Sequence, residues 1–266
     1  MSLVHAHSAK LMLSHRHVLW RVAVTELKSR HAGSILGTGW AILTPLAFVA
    51  IYAVVYLVIF KIRVTGLSSA QYVLMIFCGL VPFLMTSDAL SGGVGAVAAN
   101  RAVLANTVFP IDLAPVKAVL LSQVSMVVGF TIVLLALPFV GTVRWTLALL
   151  PLVWGLHVMG LIGLTWALSL VNLVFRDLPN LINLILLVVM IISPIAYAPD
   201  MVPEELRFLI LLNPFAYFVL AYQQLVIFGR LPSPGTSLVI VGLSVALFSV
   251  GGYFFGRAKW VFVDYV

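Results

Sequence analysis

Few side chains in this sequence could do chemistry, and their placement restricts what that chemistry is. His157 is the one ionisable residue well inside a long apolar run. A histidine there either lines a pathway or packs as a neutral imidazole with a backbone partner, and both readings fit. Four more histidines, His5, His7, His15 and His17, crowd the N-terminal segment. An irregular tract near a terminus reads as solvated, so no metal site is assigned. G-x-S-x-G and H-E-x-x-H are both absent, and the acidic residues fall at the ends of apolar runs or between them. No catalytic residue is assigned. G-x-x-x-x-G-K-[ST] is absent too, so any ATP this protein uses is held by another subunit. A proton-coupled carrier would carry more buried charge, and a membrane-embedded transferase would carry an acid–base pair.

The remaining chemistry is that of rings and cations. Tyr52, Tyr56, Phe60, Tyr72, Phe77, Phe83, Tyr197, Phe215, Tyr217, Phe218 and Tyr222 gather toward the ends of apolar runs. That is the pattern of an interfacial aromatic belt. It is equally the pattern of an aromatic-lined conduit, because the C–H faces of sugars stack on rings. Cys78 is the single cysteine, so no internal disulfide forms.

The elements that position these groups are membrane helices. Hydrophobic residues make up 63% of the 266, charged residues only 9%, and the mean hydropathy is +1.17. Such a chain has too little polar side chain to cover a soluble domain. From Trp40 to Phe60 it runs 21 residues without a charge, about 31 Å of helix, enough for a hydrocarbon core. Six spans are the economical reading, over 40–60, 72–90, 116–140, 146–173, 180–197 and 236–256. The expected fold is all-α: one transmembrane domain over 1–266, with a cytoplasmic tail and amphipathic helix in 1–38 and the six-span core in 40–256. The net charge of +7 does not indicate nucleic acid, because the basic residues sit at span ends. Lys10, Arg16, Arg21, Lys28, Arg30, Arg101, Lys117, Arg176, Arg257 and Lys259 fall on the side of the termini; Lys61, Arg63, Arg144, Arg207 and Arg230 fall opposite. Ten against five predicts cytoplasmic termini. Residues 1–38 lack a long apolar core, so the first span is expected to act as an uncleaved insertion signal.

Three segments break the pattern. Trp20, Ala23, Val24 and Leu27 recur at helical spacing ahead of the first span, with Arg21, Thr25, Lys28 and Ser29 turned away. This predicts an amphipathic helix on the cytoplasmic surface, either a plain anchor or also a docking surface. Residues 91–115 open on Ser91, Gly92, Gly93 and Gly95 and close on Phe109, Pro110 and Pro115. The glycines are expected to loosen the exit of the second span, with a short surface helix around 101–107. In 198–235, Pro199 and Pro203 precede Glu204 and Glu205, and Asn213-Pro214 follows. A helix of about nine residues is too short to cross a bilayer. It either dips into the outer leaflet and returns through 215–228 as a re-entrant segment, or lies on the outer surface.

Taken in order, these residues resemble a known family, the type-2 ABC export permeases that carry lipid-linked polysaccharides such as O-antigen and teichoic acid. The resemblance rests on four places: Glu26-Leu27-Lys28-Ser29-Arg30 leading to Ser34, Leu36-Gly37, Trp40 and Pro45; Asn106, Phe109-Pro110 and Pro115; Arg176-Asp177-Leu178 with Ser193-Pro194 and Tyr197; and Asn213-Pro214. It implies a homodimer with a conduit at its interface, served by two nucleotide-binding ATPase subunits that hold ATP and Mg. This chain itself would bind no cofactor and would not be an enzyme. The substrate would be an undecaprenyl-diphosphate-linked polysaccharide, and the location the bacterial cytoplasmic membrane. Arg101, Asn106, Phe109 and Pro110 would form the coupling helix, and Lys28, Arg30 and Trp40 would flank the substrate entrance. Arg176 and Asp177 would mark a cytoplasmic span junction. Tyr52, Tyr56, Tyr197, Pro203, Glu204, Phe215 and Tyr222 would belong to the conduit or exit gate. A type-2 exporter of small molecules would share this topology.

Overall fold

A computed structural model describes Thr25, 33–62, 64, 66–99, 110–141 and 143–263 of the chain. The amphipathic segment other than Thr25, the N-terminal histidines and residues 100–109 lie outside it. Among the described residues there is no strand. Helix α1 covers Trp40–Ala53 and runs on as a π-turn over Val54–Ile59. Then follow α2 (Ser69–Val94), α3 (Leu113–Val140), α4 (Leu150–Val174, entered by a 3-10 turn over Trp145–Leu149) and α5 (Leu178–Ile192). The last three are α6 (Arg207–Leu212), α7 (Pro214–Gln223, ending in a π-turn over Gln224–Phe228) and α8 (Pro234–Val263). A multi-pass membrane protein results. Among the described residues, five helices are long and apolar enough to cross a bilayer, and six if the bent pair around Asn213 is one span.

Helix α2 is the axis of the bundle, packed by α1, α3, α4, α5 and α7. Its apolar window is 78% buried, against 11% for α1, which turns most of its surface outward. Ser68 starts α2 with a capping box: its hydroxyl accepts from the Gln71 amide nitrogen at 3.2 Å, and the Ser68 amide donates to Gln71 Oε1 at 2.9 Å. The glycines at its far end do not loosen it, because the helix continues to Val94. Gly93 instead lies flat against the Thr165 side chain of α4. Lipid offers helices no hydrophobic gain from association, so small residues that allow close approach matter most.

The fifth span differs from the sequence expectation. It ends at Ile192 rather than 197, about 22 Å of helix, because Pro194 disfavours the helical conformation for Ser193, which is extended at ψ 136°. The remaining distance falls to the irregular segment 193–198 and the hairpin after it.

Helix α8 lies along α4 at backbone contact. A Cβ on Gly163 would strike the Leu247 carbonyl and the Phe248 Cα, and one on Gly251 would strike the Gly163 carbonyl. Neither obstacle is a flexible side-chain tip. Gly163→Val is therefore expected to cost roughly 3 kcal/mol by overpacking, read as a lower midpoint of thermal unfolding in detergent. Gly155→Val on the same helix, where a Cβ meets open space, should stay within about 0.5 kcal/mol of the parent.

Candidate functional site

The hairpin between α5 and α8 is built from proline-directed turns. Short 3-10 turns at Pro199–Met201 and Glu204–Leu206 lead into α6. Arg207 holds them, donating from Nε to the Val202 carbonyl at 3.0 Å and pairing with the exposed Glu204 at 3.6 Å. Pro203 and Glu204 are both exposed. The single helix expected between Pro203 and Asn213 thus becomes a 3-10 turn and the α-helical Arg207–Leu212. Asn213, extended ahead of Pro214, then bends the chain by 95°. Its Oδ1 accepts from the Phe215 amide at 3.0 Å and its Nδ2 donates to Ser193 Oγ at 2.8 Å. Helix α7 leads from there, beside His157, to its other end beside Thr146, whose hydroxyl donates to the Leu225 carbonyl at 2.5 Å.

The break after α5 leaves backbone carbonyls without helical partners, and side chains from three directions satisfy them. The Tyr72 hydroxyl donates to the Ala196 carbonyl. Gln223 Nε2 lies 3.1 Å from Pro194 O, 3.0 Å from Ile195 O and 3.4 Å from Met75 O. Gly79 makes room for this amide, since a Cβ there would sit 2.9 Å from Gln223 Nε2. The Tyr197 hydroxyl donates to Ile192 O at 2.5 Å. The Tyr197 phenol lies close to those of Tyr56 and Tyr52. Tyr52 and Tyr56 stack at 5.7 Å and 9°, and Phe60 meets Tyr56 edge-on at 5.8 Å. An aromatic column on α1 therefore adjoins the collar around 193–197.

His157 is 2% exposed and 2.9 Å from Thr86 Oγ1, with its ring stacked on Phe218 at 4.1 Å. Thr86 donates its proton to Pro82 O at 2.8 Å, so the shared contact has His157 Nε2 donating. The partner is a side-chain hydroxyl and not the backbone group expected from sequence. Beside it lies an apolar cavity of about 160 Å³, lined among others by Leu161, Leu164, Phe215, Leu243 and Ser244.

Of the other expected site residues, Phe215 is half-buried near His157. Tyr222 is fully buried in the bundle, 5.3 Å from the Phe130 ring. Trp40 begins α1 and donates from Nε1 to Ser34 Oγ at 2.9 Å. Arg176 and Asp177 are exposed in the α4–α5 turn, and Pro110 is half-buried just before α3. Lys28, Arg30, Arg101, Asn106 and Phe109 lie outside the described residues. Sequence reasoning missed Gln223, although adjacent amides at 223 and 224 in an otherwise apolar run were a signal.

Replacing Gln223 with Leu strands the carbonyls of residues 194 and 195, an expected cost of about 1–3 kcal/mol. Gln223→Glu should cost more, because a carboxylate would face carbonyl oxygens. The check is maleimide labelling of an Ala196→Cys variant in a Cys78→Ala background, expected to quicken about tenfold for Gln223→Leu if the collar loses some 1.4 kcal/mol.

No protein-family model matches the chain. It is 27% identical over 246 residues to the O-antigen export system permease protein RfbA of Klebsiella pneumoniae, covering 90% of this chain and 91% of that one. The RfbA of Myxococcus xanthus is 25% identical over 256 residues, with 95% and 96% covered. The polysialic acid transport protein KpsM of Escherichia coli is 26% identical over 238 residues, with 88% and 89% covered. Along nearly its whole length the chain is similar to the permease subunits of type-2 ABC polysaccharide export systems.

Proposed function

We propose that this chain is the transmembrane subunit of an ATP-driven exporter moving an undecaprenyl-diphosphate-linked, O-antigen-like polysaccharide across the bacterial cytoplasmic membrane. The end-to-end similarity to export permeases carries the reading. Two copies enclose the conduit, and the outward-turned α1, whose window is 11% buried, is the surface that suits a second copy. Two ATPase subunits bind ATP and Mg, since this chain carries no P-loop sequence. Both termini face those subunits in the cytoplasm. Arg101, Asn106, Phe109 and Pro110 transmit their closure, and Lys28, Arg30 and Trp40 receive the diphosphate head group at the entrance. Arg176 and Asp177 sit at the same cytoplasmic edge. Tyr52, Tyr56 and Tyr197 supply ring surface along the conduit. Pro203 and Glu204 open the exit hairpin, with Phe215 and Tyr222 on its returning helix. ATP binding opens the conduit only to the extent that the closed ATPase pair favours the open state.

The pure chain should hydrolyse no ATP and should export only together with a P-loop ATPase that copurifies with it; hydrolysis by the chain alone overturns the reading. In the assembled complex, Phe109→Ala or Arg101→Ala should lower export per ATP hydrolysed about tenfold, within the usual range of coupling between sites, with Asn106→Ala milder. Parallel measurement of phosphate release and exported polymer checks this. Lys28→Glu with Arg30→Glu should raise the lipid-linked substrate needed for half-maximal ATPase stimulation by about tenfold or more. Labelling of the amino terminus separates that loss from inverted topology.

A further inference from the structure

Resting on the export reading, one cavity at the hairpin end of the bundle carries a more specific assignment. It has a volume of about 380 Å³, within the range of small-ligand sites, and lies where the segment after α5, the end of α7 and the approach to α8 converge. Its wall includes Tyr197, Gln224, Phe228, Arg230 and Ser233. The smaller cavity beside His157 is lined almost wholly by apolar groups and matches no polar ligand.

The π-turn that ends α7 builds one lip of the larger cavity. The Arg230 amide reaches back to the Gln224 carbonyl at 3.0 Å, which brings Gln224, Phe228 and Arg230 together. Gly229 closes the turn at φ 62°, and a Cβ there would also meet the Arg144 stem at 2.8 Å. The turn therefore requires glycine. Gln224 Oε1 is buried with no hydrogen-bond partner. The Arg230 side chain is exposed, and no described residue engages its guanidinium. Tyr197 and Gln223 have already spent their donors on the carbonyls of the break, so Tyr197 can add ring surface and an acceptor oxygen but no donor.

We propose that this cavity is a glycan subsite on the outer side, where one glycosyl unit of the leaving polymer stacks on Phe228 and Tyr197 and hydrogen-bonds to Gln224 and Arg230. A simple anion would meet a single guanidinium beside an unpaired acceptor oxygen, a poor match. A sugar presents hydroxyls that accept from Arg230 and C–H faces for the rings, and a turn of the Gln224 side chain toward the cavity gives its Oε1, which has no accessible surface as it stands, a hydroxyl to accept from. A hydroxyl or a carboxylate of the sugar can fill the Arg230 position. Such a subsite keeps a unit that has passed the hairpin from slipping back.

The test is saturation-transfer NMR on the full-length chain, in its complex, in phosphatidylcholine nanodiscs with glucose, glucuronate or inorganic phosphate as probes. Transfer to ring protons of at least one sugar is expected. Phe228→Ala and Arg230→Gln should each weaken apparent affinity about tenfold, while Lys61→Gln, at an exposed position outside the cavity lining, leaves it unchanged. Arg230 is exposed, so its variant tests the site without a folding defect. No transfer to either sugar, or transfer indifferent to both variants, overturns the assignment. Abolition of the glucose signal by phosphate also overturns it, since that marks an anion site. A chain that still couples an ATPase to export yet shows no sugar transfer loses the subsite alone.

Discussion

Backbone that leaves the helical ladder inside a bilayer must find every hydrogen bond elsewhere, and the segment after α5 is where this structure meets that demand. Ser193-Pro194 ends the helix short of the far side. Tyr72 from α2, Gln223 and Asn213 from the hairpin, and Tyr197 from the segment itself then take up its carbonyls and the Ser193 hydroxyl. Each of these groups also fixes the element it comes from. The hairpin, the second span and the end of the fifth span are thus positioned by one set of bonds, and the aromatic column on α1 adjoins the same place.

Two other contacts set the distances between helices. Glycines at 163 and 251 bring α4 and α8 to backbone contact, where dispersion forces do in lipid what the hydrophobic effect does in water. Thr86 satisfies both Pro82 O and His157. In doing so it ties α2 to α4 beneath the hairpin, and Phe218 stacks on the same imidazole.

The sequence by itself determined the long helices and the break at Asn213-Pro214. Long uncharged runs gave α1, α2, α3, α4 and α8, because in lipid helix formation follows from local composition and the need to satisfy the backbone. Asn213-Pro214 marked one break for an equally local reason, whereas the expected fifth span ran on through Ser193-Pro194 to 197 and the structure ends it at Ile192. Prolines also stand inside α1, α2 and α3 at Pro45, Pro82 and Pro138 without ending them, so which prolines break a helix depended on the surroundings. Only the tertiary structure decided that Gly93 serves packing rather than flexibility, that His157 bonds to Thr86, and that Gln223 closes the collar. Each is a contact between residues more than 25 positions apart, and no local pattern specifies which helix faces which. Side-chain packing and the pairing of buried polar groups select those neighbours.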